Sequence, residues 1–274
     1  MITIPVAVPN KLFQWQASLF QFAQEKVYGS LAYDNSRLVI INKNHHNHPK
    51  VNDISWNLRI PYFITDGIFE KNSFSHVHYC AINLIYGIRE ILQEIPGNQV
   101  INIIDCDVIP LKPYTGPLPE DNQIICCDIY QDWHMKLLPG QENYPVIEPF
   151  LKHDTHEFMN GGFVPMLIRK NTLAKIIDEV IDISIKIVDK YEGKPQAWWC
   201  AMFALNAVCH NHRIKMISDD NCYIPNMNQL DNEKHFFAHY SCDPKFRKGS
   251  FPNINFEQLP SNAFYETIRE WMYR

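Results

Sequence analysis

The sequence predicts an α/β fold in which helices flank one mixed sheet within a single domain. Residues 2–8 and 37–42 are short β-branched runs, and residues 11–29 between them carry apolar side chains at helical spacing. Similar runs alternate with amphipathic stretches along the rest of the chain, which is the pattern of an α/β protein. Two of the later strands follow loops rather than helices, so we expect a mixed sheet. No repeat or linker marks a boundary within residues 1–274.

The composition is that of a globular protein that does not bind nucleic acid. Apolar residues make up 46% of the 274 residues and charged residues 20%, which suits a packed core. The net charge is −5, and the basic residues are scattered rather than clustered. There is no signal-like N-terminus and no membrane-length apolar run, so we expect a cytoplasmic protein without a transmembrane segment. The eight cysteines contain no C-x-x-C pair, and we expect them to be reduced.

Periodicity predicts the remaining elements. The clearest helix covers residues 72–97, where Asn72 or Ser73 provides a cap and Pro96-Gly97 an end. The next helix covers residues 171–194, capped by Asn171, and a hydrophobic helix surrounds residues 198–208. The other predicted elements are strands at residues 100–104, 123–130, 162–168, 213–218 and 235–240, and a terminal helix from residue 261.

Two carboxylates follow the apolar strand at residues 100–104. Asp105 and Asp107 are one residue apart, and side chains two apart in extended backbone point the same way. Ligands of open α/β sheets bind at the carboxyl ends of the strands. The two charges repel each other unless a cation joins them, and a divalent ion there suits diphosphate chemistry. The alternative is that Asp107 caps a turn and Asp105 is a solvated strand end.

The apolar strand followed by IDCDVIPLKP resembles the D-x-D segment of GT-A fold glycosyltransferases. The resemblance implies a GT-A type, Rossmann-like mixed sheet, in which two aspartates and a divalent metal hold a nucleotide-sugar diphosphate. FMNGGFVPMLI is similar to the N-[AG]-G segment of that family, which implies that Asn160, Gly161 and Gly162 line the sugar pocket. The alternative is an Asn-Gly turn between two strands.

HFFAHYSCDPKF resembles the late His-containing segment of retaining, metal-dependent members of this fold. The resemblance implies that His239 is the third metal ligand and Lys245 a diphosphate contact, with His235 as the competing ligand. Two aspartates and a histidine suit Mn²⁺ or Mg²⁺. By the same resemblance, Val8 and Pro9 would lie against the nucleotide base, and Asp66 and Arg89 are further candidate contacts.

KPQAWWCAMFALNAV is similar to the helix under the acceptor site of the family and, more loosely, to that of plant peptidyl glycosyltransferases. Cys200-Ala201 stands where a Glu is expected, and an inverting reaction needs a carboxylate base. Gln196 would instead lie by the anomeric carbon. Trp198 and Trp199 are candidates for sugar stacking or for the core. Base candidates for an inverting reaction are Asp154, Glu157, Asp219 and Asp220.

The sequence therefore predicts a glycosyltransferase that moves a sugar from a nucleoside-diphosphate sugar, UDP-linked by preference, to a hydroxyl of a glycan, lipid or protein acceptor. Asp105, Asp107 and His239 would hold the metal, and Asp107, Asn160 and Gln196 would form the catalytic set. Residues 1–110 would be the nucleotide-binding half and 111–274 the acceptor-side half. The alternatives are a catalytically inactive binding or assembly module and a sugar nucleotidyltransferase, whose usual Gly-rich signature is missing from VAVPNKLFQ.

Overall fold

The computed structural model describes residues 1–7, 11–41, 57–67, 81–126, 137–153, 164–219, 230–240 and 261–274. The strands are β1 (Ile2–Ala7), β2 (Leu38–Ile41), β3 (Tyr62–Thr65), β4 (Val100–Asp105), β5 (Val108–Pro110), β6 (Gln123–Cys126), β7 (Met166–Arg169), β8 (Lys215–Ser218) and β9 (Phe237–His239). The α-helices are α1 (Lys11–Tyr28), α2 (Ala81–Ile91), α3 (Tyr144–Ile147), α4 (Lys170–Lys190), α5 (Pro195–Trp198), α6 (Cys200–Asn211) and α7 (Ala263–Met272). Short 3₁₀ turns cover Gly29–Ala32, Leu92–Glu94 and Glu148–Phe150.

The main sheet has seven strands in the order β3-β2-β1-β4-β7-β6-β8. β3, β2, β1 and β4 are parallel neighbours, β7 runs antiparallel to both β4 and β6, and β6 is parallel to β8. All strands of this sheet except β7 therefore end at the same edge of the sheet, which we call the carboxyl edge. The predicted mixed α/β sheet is confirmed, and Asp105 lies at this edge on a central strand.

The two faces of the sheet are covered by different helices. Ile101 and Ile103 of β4 share a buried cluster with side chains of α2, α4 and α6. Ile104 belongs to a second cluster, which includes Ala17 and Phe20 of α1. This alternation follows from the two-residue period of a strand. Because both faces are covered, β4 is apolar almost throughout, as expected for an interior strand.

A second, two-stranded sheet pairs β5 with β9 in antiparallel register, with Val108 opposite His239. Ile109 and Ala238 of this sheet share a buried cluster with Leu19 and Ala23 of α1. α7 belongs to the same cluster through its buried residues Phe264, Tyr265 and Ile268. The small sheet therefore brings a late segment of the chain beside the residues that follow β4.

Most of the predicted elements are found, with a few differences. Asn171 is not the cap of α4, because the helix begins at Lys170 and Asn171 lies in its first turn. The backbone N–H of Asn171 instead donates to Oδ1 of Asn98, 3.0 Å away, so a residue from the loop before β4 provides the cap. α2 is followed by a 3₁₀ turn that ends before Pro96, and residues 72–80 of that predicted helix lie outside the described residues. The short elements β3, β5 and α3 were not predicted.

Two further features concern the apolarity of the helices and the state of the cysteines. Within the part that the structure describes, no helix combines the length and apolarity that crossing a membrane requires. Cys106, Cys126, Cys200 and Cys209 are buried free thiols, as predicted.

Close packing of α2 on the sheet requires glycine at position 87. A Cβ atom added to Gly87 would lie 2.9 Å from Cγ1 of Val39 and 3.1 Å from Cδ1 of Ile41. We expect Gly87→Ala to lower the free energy of unfolding by about 1 kcal/mol, since overpacking costs about 1–3 kcal/mol and the gain in helix propensity is about 1 kcal/mol. Urea denaturation measures this change. The control Arg89→Ala, on the exposed face of the same helix, should stay within about 0.5 kcal/mol of wild type, and a stabilised Gly87→Ala would contradict the close contact.

Candidate active site

Asp105 and Asp107 lie at the carboxyl edge of the sheet, on a turn between β4 and β5. Asp105 is the last residue of β4, where burial gives way to partial exposure. Cys106 between them is 1% exposed, and its thiol donates to the backbone carbonyl of Val6, 3.1 Å away. The turn thus directs its sulfur into the protein and is tied to the end of β1. Asp105 and Asp107 each bring one carboxylate oxygen to the same place, and these oxygens lie within 4.8 Å of each other.

His239 reaches the same place from β9. Its Nε2 lies 3.3 Å from Oδ1 of Asp107, and the two side chains are 15% and 16% exposed, which leaves room for a small ligand to enter. The backbone N–H of Tyr240 donates to the carbonyl of Asp107, 3.1 Å away, and continues the pairing of β5 with β9. Asp105, Asp107 and His239 each offer one ligand atom, and these atoms all lie within 4.8 Å of one another.

This geometry fits a divalent cation. For metal–oxygen bonds of about 2.1 Å, neighbouring ligands of an octahedral ion are about 3 Å apart and opposite ligands about 4.2 Å. The 3.3 Å separation of His239 and Asp107 is close to the first of these distances. Two carboxylates and an imidazole are ligands that Mn²⁺ and Mg²⁺ accept. His239 rather than His235 joins the aspartates, because the ring Nδ1 of His235 accepts from the backbone N–H of Asp231, 3.0 Å away.

The electrostatics of the cluster favour a bound cation. Burial, and next the negative charge of Asp107, raise the pKa of Asp105 to about 7, while His239 acts in the opposite direction. Burial also raises the pKa of the Cys106 thiol and of the Tyr240 hydroxyl well above their usual values, and the charge of Asp107 adds to both effects. A cation at the cluster would relieve this concentration of negative charge.

Gln196 lies on α5 at the same edge of the sheet. α4 begins at the opposite edge, where the N–H of Lys170 donates to the carbonyl of Gln99, and its 21 residues span about 31 Å at 1.5 Å per residue. The helix thus returns the chain to the carboxyl edge, where α5 follows. Nε2 of Gln196 donates to Oδ1 of the buried Asn143, 3.3 Å away. Asn143 was not predicted, because a lone Asn in a loop carries no recognisable signal.

The structure does not bring several other candidates to the cluster. Asp219 follows β8, three strands from β4, which corresponds to about 14 Å at the usual spacing between strands. Asp66 is exposed after β3, three strands away on the other side. Arg89 binds Asp178 and Glu90 on the outer surface of α2. Trp199 packs edge-on against Phe203 in the core.

Other predicted site residues lie outside the described residues. They are the base-contact pair Val8 and Pro9, the sugar-pocket set Asn160, Gly161 and Gly162, the diphosphate contact Lys245, and the base candidates Asp154, Glu157 and Asp220. The remaining stacking candidate, Trp198, lies within the described residues and is 42% exposed.

Sequence comparison assigns the chain to a family. The model of the hydroxyproline O-arabinosyltransferase family N-terminal domain matches residues 4–218, which is more than three quarters of the chain. The chain belongs to the hydroxyproline O-arabinosyltransferase family. The match includes Asp105, Asp107 and Gln196 and ends before His239. No curated protein matches the chain.

Solved structures of glycosyltransferases share the fold. An active-site glutamine-to-glutamate mutant of LgtC has a TM-score of 0.57 at 13% identity, with 100% of this chain and 95% of that chain covered. The galactosyltransferase LgtC in complex with donor and acceptor sugar analogs has a TM-score of 0.50 at 13% identity, with 89% and 88% covered. The apo structure of the bifunctional glycosyltransferase WbbM has a TM-score of 0.49 at 12% identity, covering 88% of this chain and 45% of that one. The predicted GT-A type fold is confirmed.

The raised pKa of Asp105 predicts a pH-dependent instability of the metal-free protein. The folded state binds this proton more tightly than the unfolded state, whose Asp pKa is about 3.9, so its stability falls as the pH rises from about 4 to 7. Asp105→Asn removes this loss. In the presence of EDTA we expect the variant to be more stable than wild type by about 1–3 kcal/mol at pH 8, and by less at pH 5.

Urea denaturation at the two pH values measures the difference, and Asp178→Asn on the surface is the control. A difference between Asp105→Asn and wild type that does not grow from pH 5 to pH 8 would contradict the assignment of the raised pKa to Asp105.

Proposed function

We propose that this member of the family transfers a sugar from a nucleoside-diphosphate sugar, UDP-linked by preference, to an acceptor hydroxyl in a reaction that needs Mn²⁺ or Mg²⁺. The observation that carries the proposal is the convergence of Asp105, Asp107 and His239, whose ligand atoms lie within 4.8 Å of one another. The cluster lies at the carboxyl edge of the sheet, where ligands of open α/β sheets bind. Family membership supports the glycosyl transfer itself.

Asp105, Asp107 and His239 would hold the metal ion. A divalent ion bound there supplies stabilisation for the negative charge that develops on the leaving diphosphate. The turn that carries both carboxylates is tied to β1 through Cys106, so the main sheet would set the position of the metal and of the diphosphate bound to it. Asn160, Gly161, Gly162 and Lys245 stay predicted sugar and diphosphate contacts, and Val8 and Pro9 stay predicted base contacts.

Gln196 is the side chain that we propose to lie beside the reacting sugar carbon. Its amide N–H donates to Asn143, which directs its carbonyl oxygen away from that contact. A carbonyl oxygen there can stabilise positive charge that develops on the sugar ring. α6 starts with Cys200 and Ala201, both fully buried, so no carboxylate is supplied at the position where an inverting base was expected. Both facts favour a retaining reaction.

The family name suggests which substrates to test first. Hydroxyproline O-arabinosyltransferases are named for the transfer of arabinose to a hydroxyproline hydroxyl. We propose a UDP-pentose donor and a hydroxyproline-containing peptide as the first pair, with UDP-hexoses as competitors. The division into a nucleotide-binding half at residues 1–110 and an acceptor-side half at 111–274, together with the cytoplasmic location, stays a prediction.

A second candidate function is a binding module without turnover. The observation that favours it is the absence of Asp and Glu from residues 195–211, the segment that covers α5 and α6. A module would bind nucleotide and metal through the same cluster but would release no product. Turnover therefore separates the two functions.

The main prediction concerns metal-dependent turnover. With a panel of UDP-sugars and acceptors, we expect UDP release that requires Mn²⁺ or Mg²⁺ and that falls about 100-fold or more in Asp107→Ala and in His239→Ala, since the variants lose a charge-stabilising group. A coupled UDP assay and mass spectrometry of the acceptor measure this. Asp178→Ala on the surface of α4 should keep wild-type activity. Binding of UDP and metal without turnover on any donor would favour the module instead.

A separate prediction distinguishes Gln196 from the metal ligands. We expect Gln196→Ala to lower kcat about 10-fold to 100-fold, because it removes an oriented dipole from the reacting carbon, and to leave the Mn²⁺ affinity unchanged. Steady-state kinetics and calorimetry with Mn²⁺ test the two parts. Gln93→Ala, an amide substitution at an exposed position of the 3₁₀ turn after α2, is the control. An unchanged kcat in Gln196→Ala would remove Gln196 from the catalytic set.

A further inference from the structure

The third ligand of the cluster lies on a short strand that comes from outside the segment matched by the family model. β9 spans only Phe237–His239, and the family match ends at residue 218. Asp105 and Asp107, in contrast, follow directly from a central strand of the main sheet. The position of His239 relative to the two aspartates therefore depends on what holds β9 in place.

Tyr240, the residue after His239, attaches the end of β9 to the protein interior. It is fully buried, and its backbone N–H donates to the carbonyl of Asp107, 3.1 Å away. Its ring packs against two other aromatic rings, with centroid distances of 5.9 Å to Trp15 and 5.5 Å to Phe264. We call Trp15, Tyr240 and Phe264 the aromatic clamp. The clamp joins the end of β9 to α1 and to α7.

α7 is itself fixed to α1. Nε1 of Trp271 donates to Oγ of Ser18, 3.2 Å away, and the Trp271 ring lies 6.4 Å from that of Trp15. Nζ of Lys26 pairs with the carboxylate of Glu270 at 2.9 Å. α1, in turn, packs Ala17 and Phe20 against the sheet that carries Asp105. A continuous packed path therefore leads from the main sheet through α1 and α7 to the strand that carries His239.

We propose that the aromatic clamp positions His239 for metal binding, and that Phe264 on α7 is a positioning residue of the metal site. Phe264 acts on Tyr240, whose backbone is joined both to His239 and to Asp107. Loss of the clamp would let His239 move relative to the aspartates while both carboxylates stay in place. The inference rests on the proposed function, because it takes the cluster to be a metal site.

The test compares two buried phenylalanines of the full-length protein. Phe264 and Phe203 are both fully buried, but Phe203 lies on α6, on the opposite face of the sheet. We expect Phe264→Leu to weaken Mn²⁺ binding about 10-fold, as is typical when a partner that orients a ligand is lost. Phe203→Leu should unfold at a lower temperature than wild type and bind Mn²⁺ within twofold of wild type. Calorimetry with Mn²⁺ alone, supported by the electron paramagnetic resonance of free Mn²⁺, measures affinity without turnover.

Each outcome has a defined meaning. Equal Mn²⁺ affinity in Phe264→Leu and wild type overturns the positioning role, as does an equal loss of affinity in both phenylalanine variants, since that would reflect general loosening. If Phe264→Leu does not fold, Trp15→Phe replaces it. This variant has a smaller ring at the α1 position of the clamp, and its Mn²⁺ affinity is compared with that of Phe203→Leu in the same way. Wild-type protein that binds no Mn²⁺ or Mg²⁺ would instead overturn the proposed metal site, and the inference with it.

Discussion

The repulsion between two carboxylates at the end of a buried strand is the constraint around which this structure is arranged. Asp105 and Asp107 bring carboxylate oxygens to the same place, and burial makes the charge of Asp105 more costly than it would be in water. The imidazole of His239, from a distant strand, lies against Asp107. The turn that carries both carboxylates is held by the hydrogen bond of the Cys106 thiol to Val6. The site is thus assembled at some expense to the stability of the metal-free protein, as is common where function requires close charges.

The main elements could be predicted from the sequence because their signals are local. β4 carries four β-branched apolar residues among its six, and its predicted range differs from the observed one by a single residue. α4 has an apolar stripe over 21 residues, and its predicted range begins one residue late and ends four residues late. Asp105 and Asp107 were found for the same reason, since a strand end followed by two alternating carboxylates is visible in the sequence. His239 was assigned by resemblance, and the structure brings it to the aspartates.

What the sequence did not reveal depends on contacts between distant residues. β5 and β9 are three residues long each, and they exist because they pair with each other across about 130 positions. The cap of α4 comes from Asn98, in the loop before β4, and local capping rules could only point to Asn171. Asn143 and the aromatic clamp likewise carry no signal of their own, because an Asn in a loop and aromatic residues on helices usually serve the core or a turn.

The orientation of Cys106 has a consequence for which metal the proposed site would select. A thiolate between two aspartates would be a strong, soft ligand and would draw Zn²⁺ or Cu⁺ in preference to Mn²⁺ or Mg²⁺. Here the sulfur is buried, bonded to the carbonyl of Val6, and kept protonated by a pKa well above its usual value. The same features shield it from oxidants and alkylating reagents. Cys106 would thus leave only oxygen and nitrogen atoms facing a cation at the proposed site.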